Sequence, residues 1–191
     1  MTHIVLFHSG LGLTRHVLAF ADVLRADGHE VTAPDLYDGE VFDNLADGIA
    51  KRDAVGIPEL SRRAAAAVES LPPDLVYMGF SLGAASAQAL AFTRPGALGT
   101  VLMHACLPPA MLGIEAWPGA LRAQIHWAEA DPWVDATAVD ALADLAPAGA
   151  CERFTYPGGA HLFGFDGYED YDAESAALMA QRVRGFVEEL A

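Results

Sequence analysis

Residues Leu75-Val76-Tyr77-Met78-Gly79-Phe80-Ser81-Leu82-Gly83-Ala84 decide how this chain folds. Leu75 to Met78 has the composition of a buried strand, and the alanine-rich stretch from Ser81 to Thr93 that of a helix. Between them, Gly79-Phe80-Ser81-Leu82-Gly83 fits the pattern G-x-S-x-G. In a chain with 18 glycines the pattern alone is weak. Its setting adds weight, because the motif requires a strand before it and a helix after it. A tight strand-to-helix turn holds the serine in strained backbone geometry, and a side chain at either glycine would crowd that turn. The turn also leaves the hydroxyl at a helix N-terminus, where free N–H groups favour a developing negative charge. Serine is a preferred helix cap too, and capping alone is the competing reading.

Working outward, apolar β-prone runs alternate with amphipathic segments. Strands are expected at His3 to His8, Glu30 to Ala33, Leu75 to Met78, Leu98 to His104, Ala123 to Ala128 and Glu152 to Tyr156. Helices are expected at Thr14 to Ala26, Glu59 to Leu71, Ser81 to Thr93, Ala136 to Leu145 and Ala173 to Leu190. Pro34 to Pro58 reads as irregular, with a short helix near Phe42 to Ile49. The strands Ile4 to Phe7 and Val101 to Met103 are continuously apolar, the mark of a parallel sheet covered on both faces. The expected fold class is α/β, a mostly parallel sheet of about six strands with helices on both faces and no large cap. One domain is expected over residues 1–191. The connection Met111 to Ala120, containing Trp117-Pro118-Gly119, leaves the carboxyl end of a strand, where ligand crevices commonly lie.

Composition narrows the function. The 191 residues are 53% apolar and 19% charged, as in a folded domain. The net charge of −15 repels phosphate backbones and anionic lipid heads, so neither nucleic acid nor a membrane surface is an expected partner. Cys106 and Cys151 lie in or just after apolar runs, outside any metal spacing, and are expected to be reduced. Met1 to Phe7 has no basic leader and no cleavage site, and no stretch approaches the length of a membrane span. A cytoplasmic protein without a metal or cofactor is expected.

A serine hydroxyl needs a base to take its proton. Of the seven histidines, His161 is the candidate, on a loop after the last strand at the same sheet edge as Ser81. His8, His104 and His126 lie within or at the ends of apolar strands and read as satisfied core or pocket-wall residues. The group that orients the imidazole is expected to be Asp131, which follows the strand Ala123 to Ala128. Asp135 is the fallback, though it reads as a helix cap. The chain order Ser81, Asp131, His161 is that of the α/β-hydrolase fold. An oxyanion would need two preorganised N–H donors, expected from Leu82 and from Gly10 in the loop after the first strand, with Ser9 and Leu11 as neighbours. Leu11, Leu36, Tyr37, Trp117, Trp133 and Phe163 are the expected pocket walls.

In order, these residues resemble the dienelactone hydrolase family. The matching stretches are Val5 to Leu13, Ala33 to Tyr37, the turn at Ser81, the Asp131 loop and Tyr156 to Phe163. The resemblance implies a compact α/β-hydrolase fold and cofactor-free hydrolysis of an ester or lactone by an acyl-enzyme route. Two departures weaken the dienelactone substrate itself. Founding members carry cysteine where Ser81 stands, and a glutamate where Ser9 stands. Their arginine clamp for a substrate carboxylate has no evident match, since no arginine follows His161 before Arg182. A non-catalytic small-ligand binder, or an acyltransferase or thioesterase using the same residues, are the alternatives.

Overall fold

In the computed structural model, which describes residues 1–191, successive strand residues face opposite ways and split the core in two. The elements are β1 (His3–Phe7), α1 (Arg15–Ala26), β2 (Glu30–Thr32), α2 (Leu45–Val55), α3 (Ile57–Val68), β3 (Leu75–Phe80), α4 (Leu82–Thr93), β4 (Gly99–Met103), β5 (Arg122–Ala128), α5 (Ala136–Asp144), β6 (Cys151–Tyr156) and α6 (Ala173–Glu189), with a short 3-10 turn at Pro109–Leu112. Ile4, Leu6, Val76, Met78, Val101 and Met103 point to the face covered by α1 and α6. Val5, Phe7, Leu75, Tyr77, Leu102 and Ile125 point to the face covered by α3, α4 and α5. The two clusters hold 21 and 19 buried residues, so both faces are dry, and this is why the strands read as unbroken apolar runs.

The six strands pair in the order β2-β1-β3-β4-β5-β6, every pair parallel. The order reverses between β1 and β3, which places a crevice at the carboxyl ends of those strands. β4 stops at Met103 because His104 takes a positive φ of 63°.

In the stretch expected to be irregular, the short helix expected near Phe42 to Ile49 starts later and runs longer, over Leu45–Val55. α2 runs to Val55, capped by Asn44, whose side chain accepts from the Asp47 N–H at 2.9 Å. Gly56, at φ 85°, separates it from α3. The periodicity is faint because the only fully buried α2 residue is Gly48. A Cβ there would come within 2.2 Å of the Gly10 carbonyl oxygen, so α2 meets the β1 loop backbone to backbone, with Leu45 and Val55 packed at its two ends. No helix is long and apolar enough to cross a membrane.

Candidate active site

Ser81 sits alone between β3 and α4 at φ 51° and ψ −112°, a conformation costly for any residue with a Cβ. Backbone contacts on both sides enforce it. A Cβ on Gly79 would lie 2.1 Å from the Gly83 carbonyl oxygen, and one on Gly83 would lie 2.5 Å from those of Phe7 and His8. The Ser81 N–H donates to the Met103 carbonyl at 2.7 Å and ties the turn to β4.

The loops after β5 and β6 are stitched together. The Glu129 N–H donates to the Tyr156 carbonyl at 2.8 Å and the Ala130 N–H to that of Gly158 at 2.9 Å. Gly159 then lies so close to the Ala130 carbonyl oxygen that a Cβ would come within 2.8 Å of it. This seam sets Asp131 beside His161. His161 Nδ1 is 2.7 Å from Asp131 Oδ2, and His161 Nε2 is 2.8 Å from Ser81 Oγ. With Nδ1–H donating to the carboxylate, Nε2 is left as the acceptor facing the hydroxyl. The other Asp131 oxygen accepts from the Trp133 N–H at 2.9 Å, and the His161 backbone N–H donates to Asp170 Oδ2 at 3.1 Å. Asp131 and His161 are 5% and 4% exposed, so little water screens the pair. Asp135 caps α5, accepting from the Thr137 N–H at 2.9 Å and from its hydroxyl at 2.6 Å.

The loop after β1 is equally constrained. His8 donates from Nδ1 to the Ser9 carbonyl at 2.7 Å and accepts at Nε2 from the Leu36 N–H at 3.0 Å. Burial holds the His8 imidazole below its ordinary pKa, which keeps it in the neutral form this pair of bonds requires. The Leu11 N–H is spent on Ser9 Oγ at 3.2 Å, whereas the Gly10 N–H has no acceptor among the loop's hydrogen bonds. Leu82 is the first residue of α4, where amides lack partners within the helix. Gly10, Leu82, Ser81 and His161 border one recess of about 70 Å³, together with Leu45, Ile49, Arg52 and Trp133.

Several expected pocket residues lie elsewhere. Leu36, Tyr37 and Phe163 are buried in the core: their loops turn inward, and the Tyr37 hydroxyl donates to the Gly48 carbonyl at 3.3 Å. Trp117 packs on Phe92 of α4 and donates its indole N–H to the Leu121 carbonyl at 2.8 Å, which keeps the Met111 to Ala120 connection away from the cleft. Trp133 does border the cleft, with its ring 5.8 Å from that of His161, and Leu11 borders an outer groove. Arg52 was not expected. It joins the recess wall from α2, beside Leu45 and Ile49, at the i, i+4, i+7 spacing of one helix face. That spacing is a signal present in the sequence. An arginine therefore does stand beside Ser81, although it precedes the serine instead of following His161.

His104 departs from the expectation of a satisfied histidine. Its ring is wholly buried, and neither nitrogen has a hydrogen-bond partner. His126 conforms, with Nδ1 2.8 Å from the Tyr156 hydroxyl and Nε2 3.1 Å from Gln124 Oε1. Cys106 and Cys151 are free, and burial pushes their thiols up to about 12 and about 11, far from a reactive thiolate.

A serine at a strained turn, in line with a buried histidine and carboxylate, occurs in many hydrolases. The pattern of the dienelactone hydrolase family matches residues 1–191, the whole length. The chain belongs to the dienelactone hydrolase family. Family members and the similar structures are hydrolases. A dienelactone hydrolase-like promiscuous phosphotriesterase from metagenomic libraries superposes with TM-score 0.75 at 24% identity, covering 100% of this chain and 87% of that one. The dienelactone hydrolase of Anabaena variabilis gives 0.68 at 18% identity, over 98% and 86%. The propionate-bound esterase Est2 of Thermogutta terrifontis gives 0.70 at 17%, over 100% and 84%. At these identities the likeness is one of fold. No curated protein matches the chain.

Proposed function

We propose that this family member is a serine esterase, acting on a small ester or lactone through an acyl-enzyme. The observation that carries the reading is the unbroken chain from Ser81 Oγ through His161 to Asp131, at 2.8 and 2.7 Å. His161 Nε2 takes the hydroxyl proton as Ser81 Oγ bonds to the substrate carbonyl carbon. The carbonyl oxygen becomes an oxyanion held by the Leu82 and Gly10 N–H groups. Collapse breaks the bond to the alcohol oxygen, which leaves with the proton from His161. Water, deprotonated by His161, then attacks the acyl carbon. The acid departs, and the proton returns to Ser81. Asp131 holds the neutral imidazole in the Nδ1–H tautomer and stabilises the imidazolium that forms when Nε2 takes the proton.

The test is labelling and turnover together. Wild type should react with a fluorophosphonate at Ser81 and hydrolyse 4-nitrophenyl acetate, and Ser81→Ala should do neither. Full esterase activity in Ser81→Ala would overturn the assignment. An unlabelled wild type without turnover would indicate a ligand-binding protein. Product analysis with competing alcohols or thiols separates hydrolysis from acyl transfer.

A further inference from the structure

The cleft is not one space but a chain of three. The recess of about 70 Å³ opens beside a cleft of about 430 Å³, which shares Leu45, Trp133 and His161 with it. That cleft in turn shares Asn44, Tyr168 and Glu169 with an outer basin of about 560 Å³ reaching Arg15 and His16. Ser81 borders the recess alone, whereas His161 borders both the recess and the cleft. Resting on the esterase reading, this difference sorts the two halves of a substrate. The acyl carbon must bond to Ser81 beside Gly10 and Leu82, which places the acyl group in the recess. The alcohol oxygen must receive its proton from His161, so the alcohol half extends into the cleft and basin. The recess is about half of the roughly 150 Å³ that holds a benzene ring, room for two or three heavy atoms.

The wider spaces do not suit a fatty alcohol. The basin's apolar surfaces, Phe42 and Tyr168 with Leu11, Leu13 and Val41, are interrupted by Asn44, Glu169, Arg15 and His16. A hydrocarbon chain would strip water from those polar groups and pair none of them. A polyhydroxylated alcohol would lay its C–H faces on the rings while its hydroxyls donate to Glu169 and accept from Arg15. We infer that this enzyme takes an acetyl ester of a bulky polyhydroxylated alcohol such as a sugar.

The experiment measures kcat/KM of the full chain on two matched series. The first varies the acid (4-nitrophenyl acetate, butyrate and octanoate). The second keeps acetate and varies the alcohol (octyl acetate against xylose tetraacetate). Acetate should exceed octanoate, and xylose tetraacetate should exceed octyl acetate, each by about tenfold or more. Ile49→Ala should open the recess and raise the octanoate-to-acetate ratio about tenfold, and Tyr168→Ala should lower the ratio of xylose tetraacetate to 4-nitrophenyl acetate by a similar factor. Octanoate turned over as fast as acetate, or octyl acetate as fast as the sugar ester, overturns the inference while leaving the esterase intact. Unmoved ratios in both variants also overturn it. Absence of any ester turnover, together with no fluorophosphonate labelling, overturns the esterase reading itself.

Discussion

His161 and His104 lie with their ring centroids 6.0 Å apart, and neither is more than 4% exposed. Both nitrogens of His161 are engaged, with Asp131 and Ser81. Neither nitrogen of His104 is. The difference follows from the loops that carry them. His161 stands on a loop stitched to its neighbour so that a carboxylate meets one side of the ring. His104 ends β4 in a positive-φ turn that swings its ring between Phe80 and Phe163, 6.0 and 4.5 Å away by centroid. Two equally buried imidazoles thus differ in what their nitrogens meet, not in their burial. His126, one strand further on, is a third case: satisfied by Tyr156 and Gln124, and remote from Ser81 in its hydrogen bonding.

Substitutions can break this contrast. The largest expected effect is at the engaged pair. Ser81→Ala or His161→Ala should lower kcat by about 10⁴- to 10⁶-fold with thermal unfolding little changed, measured by ester hydrolysis and calorimetry. Asp131→Asn should cost about 10³- to 10⁴-fold, because an amide facing Nδ1 favours the wrong tautomer. Both effects would be small if the three residues only packed together.

At the satisfied core histidine the effect should move from rate to stability. His126→Leu strands the Tyr156 hydroxyl and the Gln124 amide, and should destabilise the fold by about 2–4 kcal/mol in urea unfolding. Burial lowers the His126 pKa from 6.5 to about 3. Below pH 6.5 the unfolded chain therefore binds the extra proton, so this contribution to stability is intact above 6.5 and declines as the pH falls toward 3. His126→Leu should flatten the dependence of Tm on pH across that window, and an unchanged slope would exclude His126 as a source of acid sensitivity. Burial also holds the His104 pKa well below its ordinary value, so His104→Leu should flatten the slope in the same sense.

The smallest expected change in stability at neutral pH is that of His104→Leu. It removes two unpaired polar atoms and leaves no partner behind, so unfolding should move by no more than about 1 kcal/mol in either direction. A loss as large as that of His126→Leu would mean that His104 has a partner in solution.

Much of the architecture is legible in residue type alone. The strands around Ser81 are buried on both faces, and doubly buried strands are continuously apolar. Gly79 and Gly83 stand where a Cβ cannot fit, a local demand that shows directly in residue type. α2 was legible only at its start, as the short helix near Phe42 to Ile49, because Gly48 against the Gly10 carbonyl is its one fully buried residue. Arg52, beyond that expected helix, went unrecognised. Leu36, Tyr37 and Phe163 were misplaced for a related reason: an apolar residue near a site residue in sequence is drawn to the core at least as strongly as to a pocket wall.

The amino-acid sequence by itself determined the parallel sheet, the strained turn at Ser81, and the order in which Ser81, Asp131 and His161 follow their strands. These depend on local sterics and on burial, which residue type records. Only the tertiary structure decided that Asp131 and His161 meet through the seam at Ala130, Gly158 and Gly159. It alone turned the Leu45, Ile49 and Arg52 face of α2 toward the serine, divided the cleft into a small recess and a wide groove, and left His104 unpaired. Those outcomes depend on distances between segments far apart in the chain, which no single segment encodes.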